Sequence, residues 1–371
     1  MFEQLSYGLD RLNSIPKNAA TEYRHKASFL LDRVNQSLAN NDEINDLLGN
    51  NALNLMYENH KNHLRFMKNL FVINDFELLA KTVAWVYKSY HQRGFDYDYF
   101  VIEYKTWQEA IKEELSQESS KLINQFYQWL LDNHQDFIKI SQELEREEYE
   151  IADKWQDSYQ RFLELLLAGD DQKCFEFANQ VVSSKDELKE FFIEVIQSAM
   201  YTIGSLWEEG EISVANEHLA SSIVSRVVSS LYAEFLSIGQ DKGQAIISAG
   251  PNEYHELGAR MVADLLELDG WDIDYLGANT PTETLVEMIK EKKPFFVGLS
   301  ASLSFNLEAL SNSIEKIRNS AEIKNTKILV GGNVFNKNPN LWKKLAADAW
   351  AKDGQEAIKI ARKWWQENET S

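Results

Sequence analysis

The sequence predicts an α plus α/β chain, all-helical first and built on a parallel sheet after that. Three observations carry this expectation. Between Lys17 and Gly250 there is no proline and glycine is sparse, while apolar residues recur at helical spacing. Beyond Gly243, short runs rich in β-branched and aromatic residues alternate with amphipathic helical stretches. That alternation predicts parallel strands with helices on both faces.

Residues 1–140 read as an all-α N-terminal domain, broken at Asn40-Asn41-Asp42 and at Gly94. Residues 141–157 read as a charged helical connector, rich in Glu and without Gly or Pro. Residues 158–240 follow as a four-helix bundle whose helices occupy Leu163 to Phe235. Gly169-Asp170-Asp171 and Glu209-Gly210-Glu211 serve as its turns. In residues 241–371 the strands are expected at 245–248, 273–276, 295–299 and 328–330, with a weaker one at 349–351. Helices are expected at 257–268, 282–292 and 307–320. The outcome is a five-stranded parallel sheet of flavodoxin-like (Rossmann-like) type.

Composition narrows the functions. The formal net charge is −20, from 38 Lys and Arg against 58 Asp and Glu. Such a surface repels phosphate backbones and anionic headgroups, so neither nucleic acid nor a membrane is an expected partner. No stretch of about 18 uninterrupted apolar residues exists, and no basic segment leads into an apolar run at the N-terminus. The single cysteine, Cys174, excludes an internal disulfide and suits a reducing cytoplasm, the expected location; a small packing residue is its expected role.

Two residue groups carry the chemistry. His255 lies in Glu253-Tyr254-His255-Glu256-Leu257-Gly258, on the loop after the first strand. Ligands of parallel α/β sheets bind outside the carboxyl ends of the strands. A neutral imidazole there can donate to a metal, and Glu253 can take its other N–H and fix the tautomer. Gly258 lets a bulky ligand approach the first turn of the next helix. Ser300 and Ser302 follow the third strand and Gly331-Gly332 the fourth, leaving a narrow slot against bare backbone. Taken singly, the histidine is equally a capping or core residue and the glycine pair equally a tight strand-to-helix turn. The second group is Trp207 with Glu217 and His218, on either side of the Gly210 turn. An indole can cover a flat ligand, and the carboxylate and imidazole can hydrogen-bond it; alone, Trp207 would be a bundle-core aromatic.

From about Gly243 onward, the set His255, Gly258, Ser300 and Gly331-Gly332 resembles the cobalamin-binding domain of methionine synthases, corrinoid proteins and related sensors. The resemblance implies base-off cobalamin, with His255 as cobalt ligand and the displaced dimethylbenzimidazole tail in the slot. Glu253 stands where Asp is usual, and Ser302 where Leu is usual. The spacing of Trp207, Glu217 and His218 is similar to that of light-sensing cobalamin-dependent repressors of the CarH type. It implies adenosylcobalamin, with Trp207 capping the adenosyl group, Glu217 hydrogen-bonding it and His218 supporting the pocket. In those repressors a histidine follows the tryptophan and can bind cobalt after the adenosyl group leaves; here that residue is Glu208.

The N-terminal domain is acidic and helical, unlike the basic helix-turn-helix domain of those repressors. Its aromatic segment from Trp85 to Trp107, with His25, His60, His63, His91 and His134, could hold haem or another tetrapyrrole, though aromatics at this density more often form core. The domain order resembles that of photocobilins, which also hold biliverdin. No cysteine lies between Met1 and Ile140, so a bilin there would lack a thioether link. The expected function is a light sensor, not an enzyme, in which photolysis changes conformation or oligomeric state. Its signal would pass through a homo-oligomer or a separate partner. The rival expectation is a corrinoid methyl carrier of a methyltransferase system.

Overall fold

The computed structural model describes residues 12–144, 150–236 and 241–369, with Leu5, Gly8 and Leu9. It divides into two compact units, Met1–Arg146 and Glu147–Ser371. Among the described residues, no helix is long and apolar enough to cross a membrane.

The first unit is helical. Its helices are α1 (Lys17–His25), α2 (Ala27–Ala39), α3 (Ile44–Leu47), α4 (Leu53–Ile73), α5 (Phe76–Gln92), α6 (Asp98–Glu114), α7 (Gln117–Asp132) and α8 (His134–Glu143). The breaks fall at the expected Asn40 and Gly94. Gly94 (φ +97°) faces Gly49 (φ +55°), where a Cβ would lie 1.9 Å from the Gly94 carbonyl oxygen, so the two loops meet only because both residues are glycine. The aromatic segment fills the interior with its own rings. Tyr87 stacks on Phe100 at 4.1 Å, Phe95 packs edge-on to Tyr99 at 5.0 Å, and Trp107 is fully buried. This is a packed core, where a pocket lined by the same residues had been the alternative.

Four of the five N-terminal histidines have protein partners. His60 uses both nitrogens, on Asn35 (2.6 Å) and Tyr99 (3.0 Å). His63 meets Tyr127, His91 the Phe95 carbonyl, and His134 the Tyr87 hydroxyl; His25 is exposed. Burial pushes the pKa of His60 and of His63 down to about 3, so both are neutral at physiological pH. Glu103 is buried among these rings and accepts from Trp107 Nε1 at 3.2 Å. Burial, only partly offset by that hydrogen bond, pushes its pKa up to about 8. A carboxyl whose folded pKa is raised stabilises the fold below its unfolded value, and the contribution is lost as pH rises through the folded value. Glu103→Gln is therefore expected to leave stability near pH 5 little changed and to raise it by roughly 2 kcal/mol at pH 9. Thermal melts at the two pH values check this; an equal shift at both would contradict it.

The second unit joins a four-helix bundle to an α/β layer. The bundle opens with α9 (Asp153–Leu167), earlier than expected and inside the stretch read as connector. Residues 145–149 of that stretch lie outside the described residues, and Ala152 is extended (φ −56°, ψ 136°), so the connector is not one continuous helix. Next come α10 (Asp171–Val181) and a long rod. The rod runs as α11 (Lys185–Glu190), winds as a π-helix over Phe191–Gln197 and returns to α as α12 (Ser198–Glu208). The bundle closes with α13 (Val214–Phe235).

The α/β layer holds β1 (Gln244–Ala249), α14 (Leu257–Leu268), β2 (Asp272–Tyr275), α15 (Thr282–Lys292) and β3 (Phe296–Ser300). These are followed by α16 (Leu307–Asn319), β4 (Lys327–Gly331), α17 (Asn333–Lys337), α18 (Leu341–Lys344), β5 (Ala349–Ala351) and α19 (Gly354–Glu369). All strand pairs are parallel and the order is β2-β1-β3-β4-β5, the flavodoxin-like order. Its switch point lies between β1 and β3, and their carboxyl ends open the crevice where the candidate loops sit.

One hydrophobic core runs from Phe162, Phe191 and Val224 of the bundle to Ile247, Leu265 and Trp271 of the α/β layer. Where α13 meets α14 the seam is polar. Arg260 donates to Ser225 (3.3 Å) and Ser229 (2.9 Å), and the Tyr232 hydroxyl donates to Glu267 at 2.5 Å.

Candidate functional site

The loop after β1 is tied to the end of β3 from its first residue, since Gly250 N–H donates to the Ser300 carbonyl at 2.9 Å. Glu253 has no exposed surface, and its carboxylate collects donors from both sides. Oε1 accepts from His255 N (3.0 Å) and His255 Nδ1 (2.5 Å). Oε2 accepts from Ser302 N (2.7 Å), Leu303 N (3.4 Å) and Asn306 Nδ2 (3.1 Å). Burial is the largest influence on this carboxyl and pushes its pKa up. The bond to His255, that residue's charge and the Ser302 and Asn306 donors together outweigh it, so the pKa ends below the usual carboxylate value.

His255 is 57% exposed despite this buried anchor. Its hydrogen bond to Glu253 pushes its pKa up, burial opposes that, and the charges of Glu253 and Glu217 add to the rise. With Nδ1–H committed to the carboxylate, Nε2 carries the lone pair, the tautomer a metal ligand needs. Around it there is room. A Cβ on Gly258, in the first turn of α14, would meet nothing within 4 Å; the same holds at Gly204, one turn before Trp207 on α12.

The bundle brings the second group to the same end. The last turn of α12 closes with Gly210 (φ +72°), whose N–H donates to Trp207 O (3.1 Å), while Glu211 N–H donates to Leu206 O (2.9 Å). These paired bonds make a glycine-terminated helix end and fix the last turn, which carries Trp207. Ser213 then caps α13 reciprocally with Asn216, so Glu217 sits in the first turn, where a negative charge is favoured. Glu217 is held by two neighbours: His218 Nδ1 at 2.6 Å and the Ser221 hydroxyl at 2.8 Å. His218 itself is 73% exposed. Trp207 is partly buried. Because the charge of Glu217 reaches His255, the two groups face a common space.

The residues at the far strand ends behave differently. Gly332 (φ +98°) would place a Cβ 2.3 Å from Ala301 O, and Gly331 one 3.2 Å from Ala351 O. The close approach of β3, β4 and β5 therefore requires the pair by itself. Ser302 acts through its backbone N–H on Glu253, and Ser300 through its carbonyl on Gly250. Asn306, which locks Glu253 from the buried side, carried no local signal in the sequence, being 53 positions away from its partner.

Among the described residues, no three His, Cys, Asp or Glu side chains are gathered to hold a free metal ion. A metal already held by a macrocycle needs only one protein donor, and His255 with its Glu253 anchor fits that need, as do the open spaces at Gly204 and Gly258.

A helical cap over a doubly wound domain, with one carboxylate-backed histidine at the switch point, defines a corrinoid-binding class of protein. Comparison with known proteins agrees: residues 243–361 and 158–232 each match a family model described as a B12 binding domain, so the chain belongs with the cobalamin-binding proteins. It is 30% identical over 168 residues to the HTH-type transcriptional repressor CarH of Myxococcus xanthus, a match covering 45% of this chain and 54% of the repressor. The chain thus spans about half of that relative. It is 25% identical over 193 residues to dimethylamine corrinoid protein 2 of Methanosarcina acetivorans, covering 50% of this chain and 88% of that protein. The solved monomethylamine corrinoid protein of Methanosarcina barkeri superposes with a TM-score of 0.50 at 20% identity, over 56% of this chain and 99% of that one, a likeness of fold.

Proposed function

We propose that this chain is a light sensor that holds adenosylcobalamin base-off, with His255 on cobalt, between the bundle and the α/β layer. The observation that carries the reading is the pairing of two carboxylate–imidazole couples across one space: Glu253 with His255 below, Glu217 with His218 above. A plain carrier of small groups has no use for the upper couple beside an indole. Bound adenosylcobalamin would supply a cobalt–carbon bond that light cleaves.

The chain's own residues do the rest. Glu253 holds the His255 tautomer, and Trp207 covers the upper face. Glu217, steadied by His218 and Ser221, accepts hydrogen bonds from the ribose or adenine. Ser300, Ser302 and Gly331-Gly332 border the space for the nucleotide tail. While Trp207 and Glu217 are engaged, the bundle is held over the sheet. Once they are disengaged, it is free to shift about the polar α13–α14 seam, and the signal passes to an oligomer interface or a partner. Biliverdin or a related tetrapyrrole in the first unit would be a second, non-covalent chromophore. It would have to part the rings that now fill that core.

Similarity to corrinoid proteins over 88% of their length supports a second reading, a methyl carrier working with a methyltransferase. The two readings separate in one experiment: absorption spectra with adenosylcobalamin in darkness and after green light, with size-exclusion runs on both samples. The sensor reading expects a base-off, His-on spectrum that photolyses together with a change in elution volume. Photostable binding, or preference for methylcobalamin, favours the carrier. Within the sensor reading, Trp207→Ala is expected to weaken dark retention of adenosylcobalamin about tenfold, equivalent to roughly 1.4 kcal/mol, with little effect on hydroxocobalamin. Equal losses for both forms would remove the capping role.

A further inference from the structure

The anchor of the His255 loop described so far comes from one side, through Glu253 to the β3–α16 connection. A second hold comes from the other side, from the loop after β2. Asn279 lies there in a left-handed backbone conformation (φ +51°). Its N–H donates to the Glu253 carbonyl at 2.9 Å, its Oδ1 accepts from Asn252 N–H at 2.8 Å, and its Nδ2 donates to the Tyr254 hydroxyl at 3.1 Å. One residue thus grips three consecutive positions, 252, 253 and 254, directly before His255. Asn252 is itself left-handed (φ +62°), so this stretch depends on outside bonds to keep its shape.

We propose that Asn279 is a positioning residue for the cobalt-ligating His255, bracing its loop from the β2 side while Glu253 braces it from the β3 side. The inference rests on the cobalamin reading above. Physically, a half-exposed histidine on an irregular loop would sample many placements. Two independent clamps on opposite edges reduce that sampling before any ligand arrives. Tyr254, 71% exposed beside the histidine, is fixed at its hydroxyl by the same amide and becomes a rigid wall at the mouth of the site.

Asn279→Gly separates positioning from folding. Glycine accepts the left-handed backbone without strain, so the backbone bond to Glu253 persists and thermal stability should hold or rise. Both side-chain bonds are lost. The full-length chain is titrated with hydroxocobalamin in darkness, following the base-off, His-on absorption, with His255→Ala as the control that removes the ligand. The expected result is a melting temperature at or above that of the parent, with cobalamin affinity down about tenfold and a smaller His-on fraction at saturation. Asn279→Asp, which keeps Oδ1, should recover part of the loss, and Tyr254→Phe should show part of it. Parent-like affinity and His-on fraction in Asn279→Gly would overturn the brace while leaving the cobalamin reading intact. A parent chain that forms no His-on complex would overturn both.

Discussion

Replacing His255 by alanine is expected to lower cobalamin affinity by at least about a hundredfold and to abolish the His-on spectrum, leaving any residual complex with water below the cobalt. The side chain is 57% exposed, so its removal opens no core cavity. The melting temperature of the cofactor-free chain should therefore move little. This combination, large for the ligand and small for the fold, distinguishes a metal donor from a structural histidine. A parent-like spectrum in His255→Ala would remove cobalt ligation from this residue altogether.

Glu253→Ala should damage both fold and site. The carboxylate is fully buried and is the acceptor for two backbone N–H groups, the Asn306 amide and the imidazole. Removing it strands those donors in a dry place, at about 1–3 kcal/mol for each that finds no water. A total near 3 kcal/mol would lower the melting temperature of a unit of this size by roughly 10 °C. The freed imidazole loses its fixed tautomer as well, and cobalamin affinity should fall about 10–100-fold. Glu253→Asp, which keeps the charge, should retain more of both. Because the folded pKa of this carboxyl is depressed, its stabilising contribution is present above about pH 4.3 and disappears on acidification below it; Glu253→Ala should flatten that acid limb. Melts from pH 3 to 7 and dark titrations would check the two halves of this expectation separately.

What could be read from the sequence follows from how local each signal is. The five strands were legible because glycine and proline punctuate them and their apolar runs are short; α14 and α15 begin and end where the helical pattern said. Gly210 marked the turn that puts Trp207 and Glu217 at one end of the bundle, and the structure adds only the cap bonds. The connector misled because a Glu-rich stretch without Gly or Pro looks helical, while nothing local announces the extended Ala152 before Asp153. Asn306 and Asn279 were invisible because their partners lie 53 and about 27 positions away, and asparagine in a loop is ordinary. The Gly331-Gly332 pair was visible as a feature but ambiguous in purpose, and the backbone contact with Ala301 accounts for it without any ligand. The aromatic segment of the first unit was equally ambiguous, and its rings satisfy one another.

The π-wound stretch from Phe191 to Gln197 carries a consequence for how relatives of this chain could diverge. A π turn houses residues beyond those an α turn would hold, and its apolar members Phe191, Phe192, Val195 and Ile196 are all locked in the core. Deleting one residue there would let the rod rewind as ordinary α-helix and turn everything downstream by about 100° about its axis. Trp207 would then swing off the face it shares with Glu217 while every residue of the cap stayed chemically the same. Indel history in that short window, more than substitution at the tryptophan itself, would then separate chains that cover their ligand from chains that leave it bare.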